Sequence, residues 1–247
     1  MIFTIATKEF RGFFSAPSTW MILGALQFIF AWFFLARIDA FMLVQAQLAQ
    51  IANAPGATLA VVTPLFGTIA LIMMLLVPLF TMRLLAEERR NQTLTLLMTA
   101  PISSSHIVLG KFVGLLSFLL LIIAEYALMV LTLAVGTQLD FGLLLSNILG
   151  LLLLTTCYAA FGLYISTLTS QPLVAAITAL AALFGLWLVD FSTIDSGIAW
   201  RAFAPTSHFQ NFNVGLLHSN DMVFFLLFSV TFLLLAIRRL NNNRIYG

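Results

Sequence analysis

The sequence predicts an all-α integral membrane protein with six transmembrane helices, on three observations. Hydrophobic residues make up 62% of the 247-residue chain and charged residues only 8%, with a mean hydropathy of +1.08. A soluble domain is nearer half apolar and a quarter charged, so the solvent of this chain is largely lipid. Six stretches approach the roughly 20 apolar residues that a helix needs to cross hydrocarbon. The lysines and arginines outside those stretches fall overwhelmingly in alternate loops, and so on one side, as they do in a multi-pass protein.

Residues 1–18, MIFTIATKEFRGFFSAPS, come before the first span. On a helical wheel Phe3, Ala6, Phe10, Phe13 and Phe14 share one face, and Thr4, Lys8, Arg11 and Ser15 the opposite one. That pattern predicts an N-terminal helix in the membrane interface, aromatics in lipid and cations at the headgroups. The apolar run after it starts late, is long and lacks a small-residue cleavage site, so the stretch is not a cleavable signal peptide. The spans are expected at 19–36, 60–82, 112–135, 143–167, 172–189 and 222–237. Pro64 and Pro78 fall in the second and predict a kink or broken end there.

Alternate loops collect Lys8, Arg11, Arg83, Arg89, Arg90, Lys111, Arg238, Arg239 and Arg244 on one side and only Arg37 and Arg201 on the other. Both termini and the 83–111 loop are therefore expected in the cytoplasm. The net charge of +2 is too small to argue for nucleic acid. The single cysteine, Cys157, rules out an internal disulfide framework and reads as a small packing residue.

Several chemistries lack their residues. The one Gly-Lys pair, Gly110-Lys111, has Ser105 where a P-loop needs glycine and Phe112 where it needs Ser or Thr, so no ATP site is expected in this chain. His106, His208 and His218 have neither HExxH spacing nor cysteine partners, which argues against a metal. No G-x-S-x-G elbow is present. Asn91-Gln92-Thr93 matches a glycosylation sequon but lies on the side expected to be cytoplasmic. The chain reads as something that moves or binds a molecule, not as an enzyme.

The stretch RLLAEERRNQTLTLLMTAPISSSHIVLGK, residues 83–111, holds six of the chain's twenty charged residues. Residues 82–90 extend the second span into water, with Glu87, Glu88, Arg89 and Arg90 solvated. Thr93 caps a short helix over 94–99 that Pro101 stops, and Ser103, Ser104 and Ser105 offer caps for the third span, with Lys111 near the headgroups. A tight turn would connect two spans. Nearly thirty residues suggest either a docking surface built on Leu94, Leu97 and Met98 or an ordinary solvated loop.

The stretch PLFTMRLLAEERRNQTLTLLMTAPISSSHIVLGKF resembles the signature of ABC-2-type permeases, the six-span membrane subunits of ATP-binding-cassette exporters. Pro78, Arg83, Ala86, Glu87, Glu88, Thr93, Leu94, Leu96, Leu97, Pro101, Leu109, Gly110 and Lys111 match it. Gln92 departs where the pattern has glycine, and Thr95 where an acidic residue is common. APTSHFQNFNVGLLHSNDMVFFL is similar to the gliding-motility permease subgroup of the family. The resemblance covers nearly the whole chain. It implies one transmembrane domain over 1–247 and a cytoplasmic coupling helix between spans 2 and 3. Its ATPase-coupling residues would be Arg83, Glu87, Glu88, Arg89, Thr93, Leu94, Leu97, Met98 and Pro101.

By the same resemblance, ATP and Mg belong to a separate ABC ATPase, in two copies. A second permease, the same or related, completes the transporter in the bacterial inner membrane, with an accessory membrane or periplasmic subunit as a further partner. Loop 190–221 carries Phe191, Trp200, Phe203, Phe209 and Phe212, too aromatic for an ordinary exposed loop. The resemblance implies a re-entrant pair of short helices divided by Pro205, an external gate of Pro205, His208, Phe209 and Phe212, with Arg201 and His208 near the outer headgroups. The other reading is a periplasmic flap or partner contact.

Glu125 falls near the middle of the third span, where a charge is costly. It either lines a translocation path or makes an intramembrane polar contact through Gln27, Tyr126 or a Ser/Thr. Two further function classes stay open beside the permease: a membrane anchor of an envelope or motility complex, and an ATP-independent channel or secondary transporter. The last would be expected to carry more intramembrane charge or broken helices.

Overall fold

The computed structural model describes residues 1–48, 56, 58–93, 102–192 and 202–246. Every regular element among them is helical. Helix α1 (Ile2–Ser15) leads into α2 (Pro17–Leu48), with Pro17 at its start, where a missing N–H costs nothing. A π-turn (Thr58–Val62) opens α3 (Thr63–Met82), and a second (Arg83–Glu87) joins it to the short α4 (Glu88–Arg90). Then come α5 (Ser104–Leu131), which tightens to a 3-10 turn over Thr132–Val135, α6 (Phe141–Leu168), α7 (Pro172–Ser192), the short α8 (Pro205–Asn213) and α9 (Ser219–Tyr246).

Among the described residues six helical stretches are long and apolar enough to cross a membrane: Pro17–Gln45, Thr58–Arg90, Ser104–Val135, Phe141–Leu168, Pro172–Phe191 and Ser219–Asn242. Most helices outrun the predicted spans, because charge marks where water begins and not where a helix stops. The helix runs on through Pro78. Pro64 sits in its first turn, and the irregularities are the π-turns near either end.

Helices α3 and α6 form the centre. They pack on each other; α2, α7 and α8 also pack on α3, and α5, α7, α8 and α9 on α6. Gly162 of α6 makes this approach close, since a Cβ there would collide with the Thr81 side chain. In the most apolar window 67% of α6 is buried but only 17% of α2 and 22% of α7. The last two are therefore peripheral. The stripe Leu71, Leu75 and Leu79 on α3, the helix both pack against, remains exposed.

Charge gathers at one end of this bundle. Side-chain bonds bring the start of α5 together with α1, α4 and the far end of α9, where Ser104 Oγ donates to Asn241 Oδ1 at 2.7 Å. The opposite end is closed by α8.

Candidate functional site

The charged end is built around Lys111. Its ammonium donates to Glu9 Oε1 at 2.8 Å and Glu88 Oε1 at 2.7 Å, and the residue is only 1% exposed. The expectation of a headgroup lysine is corrected here: two carboxylates replace water, so the charge is held inside the protein. One ammonium thus fastens three elements, α1 through Glu9, the extension of α3 through Glu88, and α5 through its own backbone.

Helix α1 reaches this position because α5 offers no side chain in its way. A Cβ on Gly110 would sit 2.7 Å from Ile5 Cβ, and one on Gly114 would sit 2.8 Å from the Ala6 carbonyl oxygen. The two glycines, four residues apart, let the helix backbones meet as small-residue pairs do in membranes. Next to them Phe13 stacks on Phe118 with ring centroids 4.8 Å apart, and Phe80 meets Phe118 edge-on at 4.9 Å. The face expected to lie in lipid is accordingly turned largely onto protein. Ala6 and Phe13 are buried, whereas Phe3 stays exposed.

The π-turn over Arg83–Glu87 is held by Ser166 of α6. Its hydroxyl accepts from the Ala86 N–H at 2.9 Å and the Leu85 N–H at 3.3 Å, and faces the Met82 carbonyl at 3.3 Å. The turn sets adjacent glutamates to different tasks: Glu87 is exposed, while Glu88 points inward to Lys111. Arg83 and Glu87, with Lys8, Glu9, Asn91 and Lys111, help line a cleft of about 320 Å³. Arg89 is half-buried and close enough to Arg239 of α9 to feel its positive charge.

At the end of α4, Gln92 adopts φ +58, a left-handed conformation that glycine takes without strain. It stands where glycine is expected from the resemblance to the permease signature. Thr93 is exposed and donates to the Glu88 carbonyl at 3.3 Å. Leu94, Leu97, Met98 and Pro101 lie outside the described residues, as does the short helix expected over 94–99. The serine caps are present: Ser103 accepts from the His106 N–H and bonds His106 Nδ1.

At the other end Pro205 begins α8. The first of the two expected helices falls largely outside the described residues, as does Arg201. Phe209 and Phe212 are buried, and Gly150 of α6 leaves room for Phe212. Ser146 donates to the Phe212 carbonyl at 2.9 Å, and Thr63 to the Asn213 carbonyl at 3.2 Å, so α3 and α6 satisfy the end of this helix. His208 stacks on Phe224 and places Nδ1 2.5 Å from Asp221 Oδ1 and Nε2 3.0 Å from the Ala202 carbonyl. Both partners are acceptors, one on each side of the ring. Asn211 donates to the other Asp221 oxygen at 2.8 Å, and Thr206 to Asp190 at 2.9 Å.

Gln27 is half-buried and Glu125 exposed. No hydrogen bond joins Glu125 to Gln27 or Tyr126. The Tyr126 hydroxyl is itself buried without a partner, its ring between Phe30 and Phe66. Glu9, Ser166 and Gly114 escaped the sequence analysis, and Gly110 stood there only as part of a signature, not as a helix contact. Only the glycine spacing carried a signal.

The family model described as ABC-2 family transporter protein matches residues 3–243. The chain belongs to that family. Among curated proteins no match is found. As an ABC-2 membrane subunit with six apolar helices, it is a multi-pass permease. The charged knot around Lys111 falls within the matched residues.

Proposed function

We propose that this ABC-2 permease receives mechanical work from a separate ABC ATPase at its charged end. Two ATPase copies, holding ATP and Mg, dock on loop 83–111 through Arg83, Glu87, Arg89 and the Leu94, Leu97, Met98 segment. Their closure pushes the loop and drives export or mechanical work across the bacterial inner membrane. The nine-to-two cation bias supports a cytoplasmic position for this end and both termini. A second permease, the same or related, would cover the exposed Leu71, Leu75, Leu79 stripe of α3. Within the family, the stretch before the last span favours the gliding-motility subgroup.

One observation carries this reading. Loop 83–111 is tied at both ends to a single buried ammonium, which also holds α1. Force on Glu88 or on the start of α5 therefore moves α1, α3 and α5 together. A loop that merely joined two spans would need no such fastening. The test is ATP turnover by an ABC ATPase copurified with the chain in lipid. Glu87→Ala, at an exposed position, should uncouple or release the ATPase while the chain stays folded. If no ATPase binds, or turnover ignores the substitution, the ATPase-driven reading fails, and a role as an anchor or an ATP-independent channel takes its place.

A further inference from the structure

Glu125 of α5 is exposed on the surface of the bundle. It stands 13 residues after Phe112 and ten before Val135, so about 20 Å of helix lies on one side and about 15 Å on the other. Snorkelling to water is out of reach for a side chain this short. Around it Ser117, Leu121, Ala124, Leu128 and Thr132 are exposed on the same side of α5. Left to hydrocarbon, a carboxyl group at this depth would be costly, so its exposure on the single chain marks a contact.

The described residues do not supply the complement. None of the described lysines or arginines stands at that depth. On α5 the nearest is Lys111, already paired, and on α2 it is Arg37, seven residues or about 10 Å beyond Phe30, whose ring touches Tyr126. Two copies meeting symmetrically through this face would set carboxyl against carboxyl, which disfavours the charged form of both.

We propose that the Glu125 face of α5 seats a membrane-spanning helix from a different subunit, one that carries a lysine or arginine at mid-depth. Ser117 and Ala124, being small, let its backbone approach, and Glu125 fixes its register through a charge-assisted hydrogen bond. The proposal stands on depth, exposure and charge, independently of the ATPase reading.

The test uses the full-length chain in lipid vesicles with synthetic Leu/Ala transmembrane peptides, one with a central lysine and one without, binding read by energy transfer between labels. The lysine peptide should bind the native chain roughly tenfold tighter than the apolar one, and Glu125→Gln should remove most of that preference. Equal binding of the two peptides, or a preference that survives Glu125→Gln, overturns the proposal. So does a result in which Glu125→Gln or Trp32→Phe abolishes self-association without affecting the peptide; Trp32, exposed on α2, would then be the donor from a second copy.

Discussion

At the scale of single residues, the charged end depends on Lys111 having both carboxylates. Lys111→Met leaves Glu9 and Glu88 facing each other, each with under a fifth of its side chain exposed. It should destabilise the chain by on the order of 3 kcal/mol. Glu88→Gln, which keeps Glu9 in place, should cost distinctly less; thermal unfolding of the purified chain in detergent compares the two. Equal melting temperatures for the Lys111 variant and the native chain would mean that the triad contributes nothing. Gln92 invites the opposite change. Its φ of +58 suits glycine, so Gln92→Gly should stabilise by up to about 1 kcal/mol on the same measurement. A loss of stability there would show that the Gln92 side chain matters more than its backbone. His208→Phe keeps the stacking on Phe224 but removes the donor to Asp221, a 4% exposed carboxylate. A cost of about 1–3 kcal/mol is expected, seen as earlier unfolding of α8 in hydrogen exchange.

At the scale of elements, α1 is attached to the bundle chiefly through α5, and the close approach at Gly110 and Gly114 makes that attachment specific. Gly114→Leu should push α1 off α5. In proteoliposomes this would appear as faster tryptic cleavage at Lys8 and Arg11, with the six spans retained; unchanged cleavage would mean that α1 is held by other contacts. This attachment also shows what a sequence displays and what it hides. Six spans were readable because apolar length is a local property. The two faces of α1 were readable because helical periodicity is local too. What α1 faces was not: Glu9 meets Lys111 from 102 residues away, and Glu88 from 23. A lysine next to a span looks the same in sequence whether it ends in headgroups or inside a carboxylate pair. Ser166 was hidden likewise, since its task arises only where α6 crosses the π-turn of α3, 80 residues earlier in the chain. Gln92 stood out only as a departure from a family pattern; its backbone angle supplies the reason for the glycine.

At the scale of the whole molecule, the uneven burial is informative. A six-span chain with α2 and α7 lightly packed and an open leucine stripe on α3 is shaped like one half of a larger assembly. Leu75→Cys provides a direct check, because the native Cys157 is buried and its thiol would not compete. Mild oxidation in membranes should yield a disulfide-linked pair of copies if two permeases meet across this stripe. A purely monomeric product would exclude a second copy of this chain from this stripe.

The central claim is that motion of the charged loop reaches the bundle through the Glu88–Lys111–Glu9 knot. The most direct test is a spin-label distance between Thr7 on α1 and Gln171 just before α7, with an ABC ATPase bound in lipid, before and after a non-hydrolysable ATP analogue. The native knot should give a nucleotide-dependent shift of that distance, and Lys111→Met should abolish it while the ATPase still binds. A shift that persists in the Lys111 variant, or no shift in the native chain, would contradict the account.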